Sequence, residues 1–263
     1  MITSNLCGGL GNQMFQISAA YALALENNNK AIFNLDEGTF PHHPPSYYAD
    51  TIFRKLELGN ITNPNIYQEP NFYYDEIPYV DFKNGICLEG YFQSEKYFKK
   101  YRKEILELFE PTTQINNYIH YKYGHLFEKD TIGLHVRRGD YLQYQDHHPI
   151  CNIFYYNKAL FEICGDVRCH PHNILVFSDD PEWCRNNFKS DNFTIIEEES
   201  DIIDLYLMSK CQHQVIANSS FSWWGTWLNQ NPDKKVVAPK HWFGNAYSHI
   251  NTKDLIPKEW ITV

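Results

Sequence analysis

The sequence predicts an α/β protein in which parallel strands alternate with helices. Three observations predict it. In the second half, short apolar runs alternate with amphipathic stretches at the spacing of β-α-β units. At the start, a short apolar run passes through a glycine-rich loop into a helical pattern. Between the two, a shift in composition near residue 128 divides the chain into residues 1–128 and 129–263, each of domain size.

Taken in order, residues 1–6 read as a strand that enters Gly8-Gly9-Leu10-Gly11. Met14, Ile17, Ala20, Tyr21 and Ala24 then recur at helical spacing, and residues 31–35 read as the next strand. Residues 36–85 carry Pro41, Pro44, Pro45, Pro64, Pro70 and Pro78 among many Asn and Tyr. That predicts long loops with short elements, where a binding surface varies at little cost. Tyr97, Phe98, Tyr101, Ile105 and Leu108 give a helix over 94–109, and after Pro111 a further helix runs to about Tyr123. Strands follow at 131–136, 173–177, 193–196, 214–217 and 235–238. Helices lie between them at 153–163, from Pro181, at 202–208 and at 221–228, with Ser200 or Asp201 as a cap.

A chain with 43% hydrophobic and 21% charged residues buries an ordinary core. A formal net charge of -9 argues against gripping nucleic acid through its phosphates, and leaves a small polyanion only where cations cluster, as at Arg137-Arg138. Aromatic residues make up 16%, mostly for core packing, with some free to stack sugars or bases. The seven Cys are odd in number and contain no C-x-x-C, which suits free thiols in a reducing compartment. No signal-like start and no membrane-length apolar run is present. The expectation is a cytoplasmic chain with at most peripheral membrane contact.

Three segments can carry chemistry. The first is Gly8-Gly9-Leu10-Gly11-Asn12-Gln13, between strand and helix, where glycines admit a ligand to the backbone and a helix start offers N–H groups. Met14 replaces the third glycine of a dinucleotide fingerprint, and a tight turn without ligand is the alternative. The second is His135-Val136-Arg137-Arg138-Gly139-Asp140 at a strand's carboxyl end, where ligands of parallel sheets sit. Adjacent arginines point apart on extended chain, so one reaches a ligand while the other pairs with a carboxylate such as Asp140. A surface ion pair is the alternative. The third is Asn218-Ser219-Ser220-Phe221-Ser222-Trp223-Trp224, a strand-to-helix turn suited to phosphate, or simply an N-cap with aromatic packing behind it. Two further groups hint at a metal: Cys164, Cys169, His170 and His172, and His147-His148 near Cys151. The first has no standard ligand spacing, and loop histidines facing solvent or substrate are the alternative for the second.

Together these segments resemble the α-1,2-fucosyltransferases, particularly the bacterial ones. The match rests on GLGNQMFQ at 9–16, HVRRGDY at 135–141 and ANSSFSWWGTWL at 217–228, in the family's order, and extends to about residue 243. The resemblance implies the GT-B architecture, two Rossmann-like domains facing a cleft. The acceptor lies on the 1–128 side, and GDP-fucose is held by 129–263. It implies that Arg137 contacts the β-phosphate and that His135 lies on the guanine side. The acidic pair in Phe177-Ser178-Asp179-Asp180 meets base or ribose. Asn218, Ser219, Ser220 and Phe221 hold the diphosphate with Arg138 and Asp140 beside them, and Gly11 and Asn12 face the transferred sugar. Asp204 fits a recurring acidic position.

The implied reaction moves L-fucose from GDP-β-L-fucose to an acceptor glycan, most readily the 2-OH of a galactoside, with inversion. α-1,3 or α-1,6 transfer and a non-catalytic carbohydrate-binding protein are the alternatives. No Asp-x-Asp occurs, so no metal or other cofactor is expected, and Arg137 with the helix start near Ser219 takes the charge of the leaving diphosphate. An oxocarbenium-like transition state lessens the demand on a base, for which Asn12, His147 and His148 are the acceptor-side groups. A P-loop enzyme is excluded by the absence of G-x-x-x-x-G-K-[ST].

Overall fold

The computed structural model describes residues 1–36, 43–78, 82–166, 169 and 171–263; Pro41 and His170 lie outside them. The chain divides into two compact units, Met1–Thr112 with Asn251–Pro257, and Thr113–Ile250 with Lys258–Val263.

In the first unit, β1 (Ile2–Ser4) leads to α1 (Leu10–Glu26), and β2 (Asn65–Gln68) and β3 (Ile86–Glu89) complete a parallel sheet of order β1-β3-β2. α1 is buried around most of its circumference, Gln13 and Gln16 included. Two expectations need correction. Residues 31–35 form no strand, because Ala31 bridges Ile2 while Phe33 bridges Leu58, and one-residue pairings to different neighbours make no ladder. Residues 94–109 are not one helix. Two 3₁₀ turns, Glu95–Tyr97 and Lys99–Tyr101, precede α2 (Arg102–Leu108), since Phe98 at φ -140° and ψ -3° interrupts the helical backbone. The returning segment is fastened by Asp254, which pairs with Lys96 at 2.6 Å and accepts the Tyr74 amide.

The second unit opens with α3 (Thr113–Tyr123), so the division falls after Thr112 rather than after residue 128. Side-chain bonds hold α3 there: Lys122 and Tyr123 both donate to Glu199, and Lys210 to Asn116. Six parallel strands follow: β4 (Thr131–Val136), β5 (Asn173–Ser178), β6 (Phe193–Ile196), β7 (His213–Val215), β8 (Val236–Ala238) and β9 (Ile261–Thr262). Their order is β6-β5-β4-β7-β8-β9. Every residue of β4 is buried, as a central parallel strand between helical layers requires.

The intervening helices start where their caps dictate. α4 (Ile153–Cys164) is capped by Asn152, α5 (Pro181–Asn187) by Asp180 and α6 (Asp201–Lys210) by Ser200. α7 (Ser220–Trp227) buries Trp223, Trp224 and Trp227 and packs closely on α6, where a Cβ on Gly225 would stand 3.0 Å from Met208. β9 went unread because two residues give no periodicity. The free-thiol reading is corrected in one place. Gly165, at φ 71°, turns the chain back at the end of α4, and Cys164 and Cys169 form a disulfide. Cys7, Cys87, Cys151, Cys184 and Cys211 are free.

Candidate functional site

The strand order places β4 and β7 side by side, with later strands extending away from each. This is where the direction of winding reverses, the position at which open parallel sheets bind their ligands. His135 and Arg137 leave one strand there, and Asn218 to Phe221 follow the other. The two sequence motifs touch. The Tyr141 hydroxyl donates to the Asn218 carbonyl at 3.1 Å, and the rings of His135 and Phe221 lie 5.6 Å apart.

Register explains the charges. Val136 pairs with Ser178, so Arg137 and Arg138 emerge beside Asp179 and Asp180. Arg137 pairs with Asp140 at 2.6 Å and Asp179 at 3.0 Å, and its guanidinium lies 5.2 Å from the Tyr141 ring. Arg138 turns the other way, to Asp180 at 2.9 Å and across Trp183 at 4.5 Å. The arginines do diverge, but Asp140 serves Arg137. Asp180 is the partner of Arg138, because β5 delivers it there. Burial alone would raise the Asp180 carboxyl; hydrogen bonds from Arg138 and the Trp183 amide outweigh it and hold it below the usual range. Asp179 also accepts the Arg138 amide at 2.8 Å, and Ser178 accepts the Asp180 amide.

At α7, Ser219 occupies the N-cap position without bonding a helix N–H through its hydroxyl, so the pure capping alternative is not what its side chain does. Asn218 is buried and donates to the carbonyls of Pro149 and Trp242, both at 3.0 Å. Ser219, Ser220 and Phe221 stay half-buried at the helix start, where N–H groups lack intrahelical partners. His135 is fully enclosed, and burial, with the Arg137 charge, pushes its imidazole down to about 3, so it is neutral. Burial pushes the Tyr141 phenol up to about 12, keeping it a donor.

Asp204, in the first turn of α6, is largely buried with its Oδ1 unpartnered. Burial, with Glu199 and Asp201, raises it to about 7. As for the hints of a metal, no three His, Cys, Asp or Glu side chains gather as ligands among the described residues, and the disulfide takes Cys164 and Cys169.

The glycine-rich segment lies in the first unit. Gly8 at φ 76° leaves no space for a side chain, since a Cβ would stand 2.4 Å from Asn12 Nδ2. Gln93 Nε2 donates to Asn12 Oδ1 at 2.8 Å and so fixes the carboxamide. Gln93 follows Phe92, a buried residue at φ 51°, whose amide, with that of Tyr91, is held by the Glu69 carboxylate. Sequence reading passed over Gln93, and its only signal was a polar residue next to a fully apolar one.

A family model described as glycosyl transferase family 11 matches residues 1–263. The chain is 34% identical to the O-antigen biosynthesis glycosyltransferase WbnK of Escherichia coli over 99% of each chain. It is 28% identical to an α-1,2-colitosyltransferase of Escherichia coli, over 100% of this chain and 99% of that one. It is 27% identical to a galactoside 2-α-L-fucosyltransferase of Caenorhabditis elegans, over 88% of this chain and 70% of that one. Among solved structures, the α-1,6-fucosyltransferase NodZ co-crystallised with GDP matches with a TM-score of 0.55 at 13% identity, over 85% of this chain and 91% of that chain. That likeness is one of fold, and the fold is α/β of the GT-B type. The whole-length family match, together with two motifs meeting where β4 and β7 adjoin, identifies the chain as a member of glycosyl transferase family 11.

Proposed function

We propose that the protein transfers L-fucose from GDP-β-L-fucose to the 2-OH of a galactoside, with inversion and without a metal ion. The observation that carries the reading is the adjacency of β4 and β7, which brings Arg137 and the Ser219–Phe221 turn to the carboxyl end of the second sheet at its centre. The names of the relatives support the sugar and the linkage.

In this reading the acceptor oxygen bonds to the anomeric carbon as that carbon's bond to the β-phosphate oxygen breaks. GDP departs with the bonding electrons, and the acceptor proton leaves to a base or to water. Arg137 and the α7 start take up the charge on the departing diphosphate, as fixed donors in an enclosed site do. Asp140 and Asp179, which hold the guanidinium, keep it aimed at the phosphates. His135 and Phe221 enclose the base side. Asp204 offers a buried acceptor to the N–H edge of guanine. Arg138 supports the turn through Asp180 and Trp183. In the first unit, Gly11 and Asn12 serve the transferred sugar.

Arg137→Ala is expected to lower transfer on the order of 100-fold or more with the fold retained. Wild-type rates in that variant exclude the role. EDTA is expected to leave turnover unchanged, and loss restored by Mn²⁺ contradicts the metal-free reading. A screen of fucosyl against colitosyl donors, with product linkage assigned by NMR, tests donor and regiochemistry together.

A further inference from the structure

The second unit carries a group of rings to which the reaction above gives no role beyond the candidacy of His147 and His148 as acceptor-side groups. Two loops build it. One spans residues 140–150 after β4 and the other 239–249 after β8. β7 lies between β4 and β8, so the two loops flank the turn that begins α7. Asn218 in that turn ties both together, through the carbonyls of Pro149 and Trp242.

The rings form one continuous surface. His148 stacks on Tyr141 at 4.7 Å and 19°. It also lies 5.8 Å from Phe243 and 5.9 Å from Tyr247. Tyr247 meets His147 at 4.9 Å and Phe243 at 5.5 Å. The surface begins at Tyr141, the residue against which the Arg137 guanidinium rests.

The supporting backbone is fixed. Gly244 and Ala246 donate to the carbonyls of His147 and Asp146, both at 2.9 Å. The loops approach so closely that a Cβ on Gly244 would stand 2.4 Å from the Asp146 carbonyl oxygen. Five rings held this way are pre-organised. Yet none is fully buried: Tyr141, His147, His148, Phe243 and Tyr247 are all half-buried, unlike Trp223 and Trp224 in the core of the same unit. Rings fixed in place but left open to solvent suit a ligand better than a core. Their faces match the C–H face of a pyranose, and the imidazole and phenol groups match its hydroxyls. Burial lowers the His148 imidazole, which keeps a neutral nitrogen available to accept from a hydroxyl.

We propose that Tyr141, His147, His148, Phe243 and Tyr247 form the subsite for the acceptor sugar, contributed by the second unit beside the diphosphate site. This rests on the glycosyl-transfer reading above and gives its acceptor a location in the second unit, in place of the 1–128 side that the family resemblance implies. The unit that holds the nucleotide then also chooses the hydroxyl that attacks.

The test uses the full chain with Tyr247→Ala and Phe243→Ala, lactose as the probe acceptor and GDP-fucose as donor. The KM for lactose is expected to rise at least about fivefold in each variant, while the Kd for GDP, by calorimetry, stays within about twofold of wild type. Retained GDP affinity also shows that the unit is folded; Tyr247→Leu, which keeps apolar bulk, replaces the alanine variant where it is not. Lactose binding to the GDP complex, followed by saturation-transfer NMR, gives a readout that needs no turnover. Its loss in the variants is expected even where GDP-fucose proves to be the wrong donor. An unchanged lactose KM and NMR signal overturns the proposal. So does GDP affinity that falls in step with lactose binding in all three variants, which would place the rings on the nucleotide. Failure of wild type to use GDP-fucose, with lactose binding lost only in the variants, instead sinks the donor assignment and keeps the subsite.

Discussion

His135 is neutral in the folded protein, and unfolding returns it to an ordinary imidazole. Its folded value, about 3, lies below the ordinary 6.5, so the unfolded chain binds the extra proton between those limits. Stability present above pH 6.5 is therefore lost as pH falls toward 3. Denaturant titrations from pH 7 to 4 are expected to show this limb, worth on the order of a few kcal/mol, and His135→Gln should flatten it. Asp204 has the opposite sign. Burial, with Glu199 and Asp201, raises its carboxyl to about 7, so its contribution is full below about pH 4 and is lost as pH rises through 7. Asp204→Asn is expected to stabilise the ligand-free protein at pH 8 relative to pH 4, and to weaken GDP binding. Unchanged melting at pH 8 would show that the carboxylate carries no strain. The two arginines illustrate what sequence can and cannot give at this scale. Their divergence follows from strand geometry and was legible, whereas the identity of each carboxylate partner depends on the Val136–Ser178 register, a long-range fact.

Elements were legible where a pattern was long. β4 and β6 have the bounds read from sequence, and α4 differs by a single residue, because apolar runs and caps mark their ends. The first unit was harder. β2 is mostly solvent-exposed and so has no buried face to announce it, and β3 follows the proline-rich stretch as a short ICLE segment. At α6 and α7 the decisive feature is close approach. Gly225→Val would push into Met208 and is expected to lower stability by about 1–3 kcal/mol, read by chemical denaturation. At the start of α1 the decisive feature is orientation. Gln93→Leu releases the Asn12 carboxamide and leaves Gly8 and α1 in place. Transfer is expected to fall about tenfold or more, and the loss should vanish in an Asn12→Ala background. Additive losses in that double-mutant cycle would detach Gln93 from Asn12.

On the scale of the molecule, the α/β class and the three motifs were available from residue spacing and resemblance. The exact division of the chain was not, because α3 is assigned by side-chain bonds to Glu199 and Lys210 that no local pattern reports. GDP is expected to slow amide exchange across 135–141, 178–180 and 218–223, all in the second unit. Protection confined to residues 8–16 would contradict that placement. The last thirteen residues carry a separate consequence. Asn251–Pro257 completes the first unit, and Lys258–Val263 gives the second its edge strand and sets Trp260 against Trp223 at 5.5 Å. The leading segment therefore does not encode the whole of the first unit, whereas residues 113–263 contain all of the second. A chimaera that exchanges only the leading segment with a homologue would inherit a mismatched clasp at its tail, so recombination within this lineage works only when both ends of the polypeptide travel together.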